Sequence, residues 1–355
     1  MTGDMIFLLC TAAAALLLVV VLVLFYRAVV RSKGRHRWWT LLIGNALMLA
    51  VLLAAVLLGL ELYFRFAYDT TVGDNRSKVS KRWFDRHWVR NARGVRDNIE
   101  YDNAIPPGLH RITFVGDSFT AGHGVTGVED RFVNRVRRAL APGWQVHALS
   151  TLGLDTAGES AIVKNAADNG YEFDVVVLVY LFNDIRPLIT ELQSSIRPAA
   201  DPPWWVEHSY ALNTLYYRSW ARGGTTYGPG KLDYTTLMID AYNGSAWQRQ
   251  RRELERFKQT VEQYGGRLAA VTFPWLRRLI DDDQRIKGMH DKLDALWQQL
   301  RVPHLDLLSL FEKHRSAQLI VNHYDAHPSV YAHALAANAI IQFMADRVTP
   351  PPPSD

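Results

Sequence analysis

Four short segments of this 355-residue chain carry side chain types that can work on one reacting group. Gly116-Asp117-Ser118-Phe119-Thr120 holds a serine where a tight strand-to-helix turn can expose its hydroxyl and aim its backbone N–H at a developing negative charge. Ser150-Thr151-Leu152-Gly153-Leu154-Asp155-Thr156 holds a glycine, which lets a backbone N–H approach a ligand closely. Leu181-Phe182-Asn183-Asp184 offers a neutral amide, able to stabilise an anion without acting as a base, and Asp325-Ala326-His327-Pro328-Ser329 offers an imidazole near a carboxylate. Taken singly, the first three have plainer readings: a helix N-cap serine, a turn glycine, an Asn-Asp turn closing a strand. His323 and His333 are rivals to His327 by composition, although His333 falls inside a helical pattern. His323, Asp325 and His327 alternate as strand-borne zinc ligands would. Two-residue spacing arises readily by chance, no further motif completes a ligand set, and no metal or other cofactor is expected.

The segments follow apolar runs that read as strands: Arg111 to Val115, Trp144 to Leu149, Val175 to Leu181, Arg267 to Phe273 (halted by Pro274) and His304 to Leu308. Val175 to Leu181 is apolar throughout, as a parallel strand buried on both faces should be. Amphipathic stretches alternate with them. Glu129 to Ala141 places Phe132, Val133, Val136 and Leu140 on one face, Trp247 to Tyr264 is polar-faced, Ile286, Met289, Leu293, Leu296 and Leu300 form a stripe, and Ser329 to Met344 is alanine-rich. This alternation predicts an α/β domain with a parallel sheet covered by helices, its ligand groups beyond the carboxyl ends of the strands. Residues 186–246 have no clear place in the sheet and carry Trp204, Trp205, Tyr210, Tyr216, Tyr217, Trp220, Tyr227 and Tyr234. They read as an insertion whose rings pack on the core, some of them bordering the cleft, with a binding lid as the alternative.

Upstream, Met5 to Phe25 and Thr40 to Leu60 are uncharged runs of a length that spans a bilayer, so residues 1–62 read as a two-helix transmembrane hairpin. A signal peptide fits the first run less well, because it lacks a basic start and a small-residue cleavage site and its apolar stretch is too long. The connector between the runs carries Arg27, Arg31, Lys33, Arg35 and Arg37 and no acidic residue, which places it in the cytoplasm and the large domain outside. A second basic cluster, Arg76 to Arg90, weighs against that orientation and could meet anionic headgroups. Residues 63–107 are read as a juxtamembrane connector and 349–355 as a loose proline-rich tail. Residues 1–60 hold five basic side chains against Asp4, four of the chain's five net positive charges. The remainder, with 35 basic and 34 acidic residues, has no field for a nucleic acid backbone. Cys10 is the lone cysteine, which excludes an intrachain disulfide.

Together the four segments resemble the SGNH hydrolase family, the GDSL esterases and lipases, over roughly Asn91 to Met344, and Asn91-Ala-Arg-Gly94-Val-Arg96-Asp97 resembles the NxxGxRD lead-in of many bacterial members. The resemblance implies a three-layer α/β/α, flavodoxin-like domain over 108–348. It implies Ser118 as nucleophile, the Ser118 N–H, Gly153 and Asn183 as oxyanion donors, and His327 as base with Asp325 as its orienter. Gly116, Asp117 and Asp184 complete the motifs. Three departures stand out. Leu181 or Phe182 replaces a glycine, Ala148 and Ser150 stand where Asn and Gly are usual, and the last block is DxH rather than DxxH, which leaves a backbone carbonyl as an alternative orienter. Neither His323 nor His333 precedes the proline of that block. The implied activity is serine ester hydrolysis through an acyl-enzyme, at the membrane of a bacterium, with removal of acetyl or other short acyl groups from an envelope glycan or glycolipid as first reading. O-acyl transfer to a sugar hydroxyl, lipase or thioesterase action, and an inactive binding protein are the alternatives.

Overall fold

The computed structural model describes residues 2–31, 38–73, 76–189, 201–222, 233–279 and 284–348. Residues 32–37 of the basic connector, 190–200 and 223–232 of the aromatic stretch, and the tail 349–355 lie outside the described residues. By contact the chain forms two units: residues 1–84 with 198–223, and 85–197 with 224–355.

In the first unit, helices Gly3–Arg31 and Trp38–Leu62 contain the two apolar runs, and both are long and apolar enough to be candidate membrane spans. Gly44 lets them approach, since a Cβ there would lie 3.2 Å from the Phe25 ring. Their apolar side chains, Leu16, Leu17, Leu41 and Leu49 among them, are exposed, a surface suited to lipid rather than water. The second helix ends in a buried ion pair, Glu61 with Arg65. Glu61 also accepts from Ser209 Oγ at 2.7 Å and from the N–H groups of Tyr210 and Ala211 at 3.1 Å. A buried carboxylate needs such donors, and the N-terminus of helix Tyr210–Arg222 supplies them. The stretch expected as one insertion on the sheet is thus divided. Residues 204–222 group with the apolar helices, whereas helices Tyr234–Asn243 and Ser245–Gln263 pack on the sheet through Leu237, Met238, Tyr242, Leu254 and Phe257. The expected connector is divided as well, at Phe84, because Arg96 and Asp97 are buried in the second unit.

The second unit is built on five parallel strands, β1 (His110–Gly116), β2 (Trp144–Ser150), β3 (Val175–Leu181), β4 (Arg267–Phe273) and β5 (His304–Asp306), in the order β2-β1-β3-β4-β5. Strand alternation sorts the side chains into two cores. On one face Val115, Leu149, Val176, Leu178 and Ala270 meet helices Thr156–Asp168, Ser245–Gln263 and Gln284–Leu300. On the other, Phe114, Val146, Val177 and Val271 meet helices Phe132–Leu140 and Val330–Phe343. The result is the expected three-layer α/β/α domain. An antiparallel pair that the apolar pattern does not announce, β6 (Ile320–Asn322) and β7 (Asp325–Pro328), precedes the last helix. In this strand order the chain reverses direction across the sheet between β1 and β3, and such switch points open a crevice at the carboxyl edge.

Candidate active site

Ser118 and Asn183 lie on the two sides of that crevice. Gly116 ends β1 paired with Ser150 of β2 and Val179 of β3, and a Cβ on it would fall 2.3 Å from Thr120 Oγ1 and 3.0 Å from the Val179 carbonyl. Only glycine fits there, which lets the chain turn directly into the short helix Ser118–Ala121. Asp117 caps that helix by accepting the Phe119 N–H at 2.9 Å. The serine Oγ lies 2.9 Å from His327 Nε2, and His327 Nδ1 lies 2.5 Å from Asp325 Oδ1.

The short DxH spacing succeeds because both residues are on β7. Residues i and i+2 of a strand share a face, so Asp325 and His327 project together. The same carboxylate oxygen accepts the His327 backbone N–H at 3.0 Å, while the Asp325 N–H donates to Asn322 Oδ1 at 3.1 Å. Burial alone would lower the pKa of His327. The charge and hydrogen bond of Asp325, with a further contribution from Asp117, raise it above the ordinary histidine value instead. His333 is buried in the closing helix, accepts the Phe132 N–H at 3.2 Å, and is held near pKa 3 by burial. His323 is exposed. Neither rival reaches the serine through a hydrogen bond among the described residues.

Asn183 opens the turn after β3, and its Nδ2 donates to Asp117 Oδ2 at a long 3.4 Å. Asp184 closes the same turn by accepting the Leu181 N–H at 3.0 Å. It is buried, and burial together with the nearby Glu159 carboxyl pushes its pKa well above the carboxylate range. Glu159, from the helix after β2, is raised likewise by burial and then by Asp117. Gly153 sits three residues beyond the end of β2 with φ +71°, a left-handed conformation that favours glycine. Asp155 then caps the next helix through the Gly158 N–H at 2.8 Å.

Two residues emerge that the motifs do not name. His123 is buried, stacks on His327 with ring centroids 3.9 Å apart and planes at 14°, and brings Nε2 to 3.5 Å from Asp325 Oδ2. No spacing in the sequence marks it. Glu159 is the other, an acidic residue of helix Thr156–Asp168 whose burial no local pattern reveals. The lead-in motif has a defined place. Arg96 donates to the carbonyls of Ala121, Gly122, Val125 and Thr126, while Asp97 accepts from Arg131, Arg137 and Tyr101. His123, Asp325 and His327 are close enough to suggest metal ligation. Their geometry argues otherwise: the stacked rings each face a different oxygen of Asp325, and both His327 nitrogens are already engaged. A cavity of about 230 Å³ opens beyond β4 and β5, lined by Pro274, Trp275, Leu279 and Ile286 with Arg278 and Lys287. Trp275 contacts Phe182, the neighbour of Asn183, with ring centroids 5.7 Å apart.

No family model and no curated protein matches the chain. Among solved structures it is similar to a member of the lipolytic G-D-S-L family from Veillonella parvula, with 15% identity over 66% of this chain and 97% of that one and a TM-score of 0.41. It is also similar to a lipase/acylhydrolase from Enterococcus faecalis, with 14% identity, 68% and 99% coverage and a TM-score of 0.40. An acetylxylan esterase from Geobacillus stearothermophilus shows 15% identity, 70% and 100% coverage and a TM-score of 0.41.

Proposed function

We propose that the chain is a membrane-anchored serine ester hydrolase working through an acyl-enzyme. The observation that carries this reading is the hydrogen-bonded series Ser118 Oγ, His327 and Asp325, with separations of 2.9 and 2.5 Å. Ser118 attacks the ester carbonyl while His327 Nε2 takes its proton, and Asp325 stabilises the imidazolium that forms. The backbone N–H groups of Ser118 and Gly153 and the Asn183 amide receive the oxyanion. The long Asn183 to Asp117 contact is weak enough to be exchanged for that stronger partner. His327 returns the proton to the departing alcohol, then activates water to release the acid and regenerate Ser118.

The substrate follows from the anchor. A domain tethered by two apolar helices, with a basic connector on the cytoplasmic side, would meet acylated envelope glycans or glycolipids, and short acyl groups such as acetyl are the proposed target. The test is p-nitrophenyl acetate, butyrate and octanoate hydrolysis by the full chain in detergent micelles, beside Ser118→Ala, with mass spectrometry of the acyl-serine peptide. Serine-dependent turnover of acetate with an adduct on Ser118 is expected. Turnover that survives in Ser118→Ala refutes the mechanism, and preference for octanoate refutes the short-acyl assignment. Diversion of acetyl from water to an added sugar acceptor would identify the same relay as a transferase.

A further inference from the structure

The residue after Gly122 is a second histidine, which nothing in the relay requires. The His123 N–H donates to the Ser118 carbonyl at 2.9 Å, which fixes its backbone to the nucleophile turn. Gly122 reaches φ +74°, and a Cβ there would meet the Arg131 and Arg96 side chains at 3.1 to 3.2 Å. Arg96, seated over Trp88 at 4.9 Å, holds the carbonyls on both sides of His123. The loop therefore has one path, and that path lays the His123 ring flat against His327 while Phe119 flanks the same imidazole at 5.5 Å.

We propose, resting on the serine relay above, that His123 is a positioning residue for His327: its ring confines the base to the rotamer that reaches Ser118, and its Nε2 lies 3.5 Å from the Asp325 oxygen that His327 Nδ1 does not use. A free imidazole rotates about two side chain bonds, and the stack removes the alternatives without touching the proton path. His123 itself stays neutral, because burial, and then the charge on His327, pushes it down to about 3. A neutral ring draws less on Asp325 than a cation would, so the carboxylate still serves the base. The charged and titratable groups facing the pair are Asp325 on β7, Asp117 on the nucleophile turn, Arg96 from the lead-in and His333 from the closing helix.

The experiment compares His123→Ala, His123→Phe and His123→Gln in the full chain in micelles, measuring kcat and KM for p-nitrophenyl acetate between about pH 5 and pH 9, the range over which a histidine base titrates. His123→Ala should lower kcat about tenfold at unchanged KM, a cost typical of a loosened catalytic group. His123→Phe keeps the ring and should recover most of kcat. In both variants the acid limb of kcat/KM should move to higher pH, because Asp325 then acts on His327 alone. His123→Gln restores a polar contact and should return the limb without restoring kcat. An unmoved limb in His123→Phe, an effect on KM alone, or a uniform loss in all three variants overturns the proposal. If the alanine variant does not fold, the phenylalanine and glutamine pair decides. Ser118→Ala separates the two levels: retained activity there defeats the relay itself and this inference with it, whereas an inactive Ser118→Ala beside silent His123 variants defeats this inference alone.

Discussion

Replacing Asp325 by asparagine removes one charge and almost no volume. The amide oxygen can still accept from His327 Nδ1 and the His327 N–H, the two bonds now made by Oδ1 at 2.5 and 3.0 Å, so the base keeps its place. What is lost is attraction to the imidazolium that forms as Ser118 attacks. For charge centres about 4 Å apart at an effective dielectric constant near 20, that attraction is ~4 kcal/mol, or about three decades in rate. The base also changes in the ground state. Asp325 is what lifts the His327 pKa against burial, so in Asp325→Asn burial prevails and the pKa falls below the ordinary histidine value. His327 must be neutral to accept a proton, and activity therefore rises with pH through its pKa. The acid limb of kcat/KM should lie above the ordinary value in the native chain and move to lower pH in the variant, while the plateau falls about 10³-fold. Steady-state hydrolysis of p-nitrophenyl acetate across pH measures both. A variant that keeps more than about a tenth of the native plateau, with its limb in place, would mean that a backbone carbonyl and not Asp325 serves the base.

Asn183→Ala should lower kcat by about 10² to 10³ with little change in KM, the usual cost of an oxyanion donor, and full activity would remove Asn183 from that role. Glu159→Gln should stabilise the protein at alkaline pH. The buried carboxyl stays protonated where the unfolded chain has ionised, so it contributes fully only below the unfolded pKa near 4.5 and costs stability progressively as pH rises towards its folded value. Thermal unfolding should show a higher midpoint for the variant at pH 8 than for the native chain, with the gap closing towards pH 4; equal midpoints throughout would show that Glu159 is not buried as described.

Much of this protein is legible in its sequence because the forces concerned are local. An uninterrupted apolar run such as Val175 to Leu181 can only be satisfied by burial on both faces, and it is β3 to the residue. The two apolar helices follow from composition alone, and the four motif segments land after β1, after β2, after β3 and on β7 because strand ends and turns have marked residue preferences. Relations between distant segments depend on topology instead. The DxH spacing looks one residue short until β7 gives it strand alternation, and His123 is an unremarkable turn residue until the Arg96 carbonyl contacts and the left-handed Gly122 fold it onto His327. Glu61 draws residues 209–211 to the apolar helices, and the buried Glu159 carboxyl lies near enough to Asp184 to help raise its pKa. Apolar periodicity records which residues must leave water. Which buried side chains face one another depends on strand order and loop path, and these arise only when the whole chain has packed.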